Sequence, residues 1–74
     1  NKEMLDHQIY AFRRFYRKAR EKRIRKIIII HGVGQGVLRN EVRDFLDGQE
    51  GLEVYDADFR EYGKGATAVS LFYK

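Results

Sequence analysis

The 74 residues carry 15 Lys or Arg against 11 Asp or Glu, a formal net charge of +4, with no cysteine and no proline. That length allows one domain with a thin core, burying about 60% of the surface its unfolded chain exposes. With no cysteine, and His7 far from His31 in the chain, a disulfide framework and a structural zinc site of the Cys/His kind are both excluded.

Stability must then come from packing, for which the 43% apolar content provides. No apolar run of about 18 residues and no signal-peptide pattern is present, so the sequence reads as cytoplasmic, with no membrane partner. The charge is unevenly spread. Residues 1–26 hold ten Lys or Arg against three acids, and residues 27–74 hold five against eight. Positive charge gathered at one end points to an anionic partner, nucleic acid before membrane.

The first segment predicts a helix. Leu5, Ile9, Phe12, Tyr16 and Ala19 follow a 4-3-4-3 spacing, the stripe of an amphipathic helix with one buried face. Arg13, Arg14, Arg17, Lys18 and Arg20 fall between them and face solvent, where they can neutralise phosphates or form a solvated face. His7 lies off the stripe as a solvated residue. Ile24 and the run Ile27–Ile30 predict a strand buried on both sides, the middle of a helix-covered sheet. Val37, Leu38, Val42, Phe45 and Leu46 predict a second helix, ended by Gly48. "GLEVYDA" predicts a short strand with Leu52 and Val54 on one face. "DFREYGKG" reads as a loop, and "ATAVSLFY" as a final strand in which Thr67, Val69, Leu71 and Tyr73 alternate with smaller or more exposed positions.

Between the first strand and the second helix, glycine recurs at every second position, Gly32, Gly34 and Gly36, after His31. A strand that ends in glycines and leads into a helix suits an anion, because the helix N-terminus offers unpaired N–H groups and partial positive charge. The spacing is neither the dinucleotide fingerprint nor the phosphate loop of nucleotide triphosphatases, since Val37 follows Gly36 where a lysine is required. A glycine turn that only lets the helix pack close to the sheet accounts for the same residues. Arg39 falls in the helix's first turn, against the dipole's preference, which suits a bidentate hold on phosphate or a salt bridge to a nearby acid. Asp56 and Asp58 could hold a metal, cap a turn or pair with Arg60; no metal site is assigned.

"IIIIHGVGQGVLRNEVRDFL" followed by "YDADFREYGKGATAVSLF" resembles the Smr domain, the small MutS-related family. The shared features are H-G-x-G-x-G at His31–Gly36, Leu38-Arg39 at the helix start, and the later loop from Phe59-Arg60 to Gly63-Lys64-Gly65-Ala66-Thr67. The resemblance implies a β-α-β-α-β-β domain similar to the C-terminal half of bacterial translation initiation factor three. It also implies binding to DNA or RNA, with nicking or cleavage in several members, and a place at the C-termini of MutS-like and ribosome-associated proteins. The family's L-D-x-H motif is absent; "MLDH" at Met4–His7 has the wrong spacing and sits in the helical stripe. That motif belongs to a first strand, expected upstream of Asn1.

The expectation is therefore a single Smr-like domain over residues 1–74, the C-terminal part of a longer protein. Its architecture is a two-layer α/β sandwich of order α-β-α-β-β, with a mixed sheet covered by two helices. Gly32, Gly34 and Gly36 would present backbone N–H groups to the phosphates of DNA or RNA. His31, Arg39, Arg60 and Lys64 would surround them, and Gly63 and Gly65 would let the second loop approach. Arg13, Arg17 and Arg20 would add diffuse attraction. His31 is also the candidate acid or base. Two alternatives stand beside binding: a nicking endonuclease in the complete protein, there using a divalent metal, and a protein- or ribosome-interaction module. Without the L-D-x-H motif this chain alone is expected to be inactive, and an unpaired sheet edge would invite self-association.

Overall fold

A computed structural model describes residues 2–74. Its elements are α1 (Lys2–Glu21), β1 (Lys26–Ile30), α2 (Val37–Asp47), β2 (Leu52–Asp56), α3 (Phe59–Tyr62) and β3 (Ala66–Leu71). This is the two-layer α/β arrangement that the sequence implies, with both long helices on one face of the sheet. The stripe on α1 buries as its spacing requires: Phe12, Tyr16 and Ala19 are buried, and Leu5 and Ile9 half-buried. The three buried residues cluster with Val42 and Leu46 of α2 and Ile27, Val69 and Leu71 of the sheet. Leu46 is fully buried, so Leu46→Ala would cost about 2–5 kcal/mol in lost transfer energy and cavity. Phe45 closes the seam between the helices, with its ring edge-on to Phe12 at 5.5 Å and to Tyr16 at 5.4 Å; each such pair is worth about 0.5–1.5 kcal/mol beyond burial.

The sheet order is β1-β3-β2, and both pairings are antiparallel, with Ile30 opposite Ala66 and Asp56 opposite Thr67. The mixed sheet that the sequence leads one to expect is not what the described strands form. β1 and β2 do run parallel to each other, but β3 is inserted between them, so no parallel pair is adjacent. The central strand also differs from expectation. β1 pairs on one side only among the described residues, and its burial falls from Ile27, 5% exposed, to Ile30, 64% exposed. β3 has neighbours on both sides and is buried at Ala66, Thr67, Ala68, Val69 and Leu71. Its small alanines face away from the helices, shaded by Ile28 and Ala57.

Two further details depart from the sequence reading. The "DFREYGKG" connection contains a helical turn, because the Asp58 carboxylate accepts the Arg60 N–H at 2.9 Å and caps α3. Gly48 ends α2 with φ −84°, using no left-handed conformation. The left-handed helix cap is instead at Arg23, φ 55°. There Ile24 N–H reaches back to Ala19 O and Arg23 N–H to Arg20 O, a Schellman closure built without glycine.

Candidate functional site

The C-terminal ends of β1 and β2, the start of β3 and the start of α2 meet at one end of the sheet. The chain leaves β1 through Gly32, Gly34 and Gly36, which take φ of +77°, +36° and +80°. Each is left-handed backbone that a side chain would strain, and around each the space is open. The second loop comes to this turn through Gly65, whose carbonyl accepts the N–H groups of both His31 and Gly32 at 2.9 Å. The two glycine-rich segments singled out in the sequence therefore touch. The Gly32 N–H is spent on that contact and does not face outward, contrary to expectation. Among the described residues no acceptor takes the N–H groups of Gly34, Val37, Leu38 or Arg39, the last three being the opening donors of α2. No acid occupies that helix's first turn.

His31 is tied into the turn at both ring nitrogens. Nδ1 lies 2.9 Å from Gly32 O and Nε2 lies 2.8 Å from Thr67 Oγ1. A carbonyl can only accept, so Nδ1–H donates to Gly32, and in the neutral ring Nε2 then accepts the Thr67 hydroxyl proton. The Thr67 oxygen in turn accepts from Arg43 Nε and Nη2 at 3.3 and 3.2 Å. Arg43 Nη2 also pairs with Asp56 Oδ1 at 2.6 Å, and Arg39 Nη2 stands 3.8 Å from the same oxygen. One chain of polar contacts thus runs from Asp56 through Arg43 and Thr67 to His31 and the turn.

Thr67, the last residue of the second motif, is part of this site, and so is Arg43, which the sequence does not single out. The available signal for Arg43 was its place one helical turn after Arg39. Arg39 has the alternative foreseen for it, an acid partner, but that acid is Asp56. Asp58 is the cap of α3, and the Arg60 and Lys64 side chains are exposed, with no partner among the described residues. Lys64 adjoins Gly65 and so the turn; Arg60 belongs to α3, on the same connection. Gly63 ends α3 with φ +76°.

The helix-1 cations are not a uniform surface. Arg13 lies over the Phe45 ring at 5.1 Å. Arg20 is drawn into the fold: its Nε donates to Tyr16 Oη at 2.9 Å, its Nη2 donates to Glu50 O, and it lies over Tyr16 and Tyr73. Arg17 is exposed and makes no such contact among the described residues. Arg20 meets the loop before β2, and Arg23 donates to Lys74 O; both lie at the opposite end of the sheet from the glycine turn.

For a divalent metal the residues present do not fit. Asp56 is held by arginines, Asp58 caps a turn, and no three His, Asp or Glu side chains gather among the described residues. No described helix is long and apolar enough to cross a membrane.

Fold and site together define a small α/β sandwich organised around two touching glycine-rich connections. The sequence profile of the Smr domain matches residues 3–72, and the chain belongs to that family. Over 66 residues it is 32% identical to endonuclease MutS2 of Clostridium botulinum, which covers 89% of this chain and 8% of that protein. It is 39% identical over 49 residues to endonuclease MutS2 of Finegoldia magna, or 65% of this chain and 6% of that protein. The chain thus spans less than a tenth of the length of these relatives. The solved Smr domain of Thermus thermophilus MutS2 superposes with a TM-score of 0.82 at 26% identity, covering 93% of this chain and 88% of that one.

Proposed function

We propose that this domain binds nucleic acid, DNA or RNA, through its sugar–phosphate backbone at the α2 end of the sheet. The observation that carries the reading is the set of N–H donors at Gly34 and the start of α2 that have no acceptor among the described residues, with no acid in that turn and Arg39 beside them. Oriented N–H groups and the helix dipole suit a phosphate oxygen. Lys64, on the loop that Gly65 holds against the turn, extends the positive edge, and Arg17 on α1 adds diffuse attraction. The kinship with MutS2 proteins, named endonucleases, supports a nucleic-acid partner. Nothing at the site reads base edges, so shape or strand form would govern selection.

Anisotropy with labelled single-stranded RNA, duplex DNA and branched DNA across a salt series tests this. Binding should weaken steeply with salt, and Arg39→Ala and Lys64→Ala should each cost about 1 kcal/mol and flatten the slope by about one ion. Binding that survives in both variants would move the interface elsewhere, and no binding at low salt would leave a protein partner as the reading.

The name of the relatives favours a second reading, strand nicking by the complete protein. In this chain both ring nitrogens of His31 are engaged and neither nearby aspartate is free. Plasmid relaxation by the 74-residue chain and by a longer protein carrying it separates the two: relaxation by the chain alone would establish that these residues suffice.

A further inference from the structure

Asp56 closes β2 with its side chain 81% exposed, yet one oxygen is shared by two guanidinium groups, Arg43 at 2.6 Å and Arg39 at 3.8 Å. It is the one acid in an ion pair among the described residues. The two arginines stand four positions apart on α2, one turn, and so project along the same side. Arg43 is fixed from behind by Thr67, whose side chain is fully buried. Among the described residues its Nη1 has no acceptor, so donors remain. A guanidinium anchored on a buried hydroxyl, paired with a second arginine and turned toward an exposed anion, is a fork shaped for oxyanions. Arg39 belongs to the first turn of α2, which joins this fork to the unpartnered N–H groups.

We propose that Asp56 is the resident occupant of a two-arginine oxyanion cradle, and that a backbone phosphate of the nucleic acid displaces it. The inference rests on the nucleic-acid reading for its ligand, while the cradle stands on its own geometry. An exposed carboxylate–arginine pair is weak, because water and salt screen it and its side chains lose freedom in forming it. A phosphodiester brings the same charge with two oxygens, and releases counterions that the carboxylate does not. Tethered beside the arginines, Asp56 competes at high effective concentration with every phosphate. It therefore sets a threshold that favours closely spaced phosphates, which can hold neighbouring donors at the same time.

Asp56→Asn keeps the side chain's shape and removes its charge; Asp56→Ala is the second variant, and circular dichroism checks the fold of both. Anisotropy with single-stranded RNA should show about fivefold tighter binding in either variant, with a salt slope steeper by about 0.7. In parallel, the Arg43 Nε–H resonance is followed while inorganic phosphate is added to the wild-type chain and to Asp56→Asn. It should shift at severalfold lower phosphate in the variant. If wild type binds RNA through Arg39 but the Asp56 variants bind equally or more weakly, the displacement idea is overturned and the nucleic-acid reading survives. If RNA does not bind while phosphate moves Arg43 more readily in Asp56→Asn, the cradle stands and its ligand is another phosphate compound. If neither probe responds, both ideas fall.

Discussion

Gly65 lies so close to Gly32 that a Cβ built on Gly65 would sit 2.5 Å from the Gly32 carbonyl carbon and 2.6 Å from its Cα. Real Cβ atoms do not approach backbone this closely, and backbone cannot swing aside as a side chain can. The glycine is needed here for contact, whereas Gly34, with open space around it and φ +36°, is needed for conformation. Gly65→Ala should therefore cost about 1–3 kcal/mol or more, and Gly34→Ala about 1 kcal/mol. Chemical denaturation of both variants checks the order; equal losses would mean that the two loops can separate at little cost.

The Thr67 hydroxyl is the joint between His31 and Arg43. Thr67→Val keeps the volume and strips His31 Nε2 and Arg43 of a buried partner, which should cost about 1–3 kcal/mol. Thr67→Ser, which retains the oxygen, should cost less. The same geometry fixes the tautomer, and nitrogen NMR of neutral His31 should find its proton on Nδ1. A proton on Nε2 would contradict the direction of the chain from Arg43 to Gly32.

How far the sequence revealed this site depends on whether the signal was local. The α1 stripe and the His31–Gly36 turn are periodic or contiguous, and the helix and the turn formed where expected. The centre of the sheet is not legible from apolarity, because an apolar strand can stand at an edge. Four isoleucines stand on β1, which pairs on one side only among the described residues, while the doubly paired strand β3 buries Val69 and Leu71 toward the helices and the small Ala66 and Ala68 on its other face. Arg43 and Asp56 are 13 residues apart, and nothing in either neighbourhood indicates that they meet; only the β1-β3-β2 order brings them together. The one-turn helix α3 was legible in principle, since Asp58 and Glu61 have capping-box spacing.

Asp58 holds the start of the connection that delivers Lys64 and Gly65 to the turn. Losing its bond to Arg60 N–H should cost about 1 kcal/mol in Asp58→Ala, as for other helix caps. Because α3 is exposed and only one turn long, the effect should concentrate locally. Hydrogen exchange should speed up at Tyr62 and Gly63, whose N–H groups bond Asp58 O and Phe59 O, while the amides of β3 keep their protection. Uniform acceleration would show that the cap supports the whole fold.

Arg17 and Arg20 lie almost one turn apart on α1 and should behave oppositely. Arg20 joins α1 to the loop before β2 through Tyr16, Glu50 and Tyr73. Arg20→Ala therefore removes a hydrogen bond to the buried Tyr16 and two ring contacts, and should lower stability by about 1–2 kcal/mol. Its guanidinium is already committed and lies away from the glycine turn, so nucleic-acid affinity at a temperature well below the melt should hardly change. Arg17 is exposed and makes no such contacts among the described residues, so Arg17→Ala should leave stability within about 0.5 kcal/mol and reduce the salt slope of binding by a fraction of an ion. Thermal melts paired with anisotropy on the same two proteins decide it. Should Arg20→Ala lose affinity while keeping its melting temperature, the phosphate path would run along the far end of α1 instead of the α2 start.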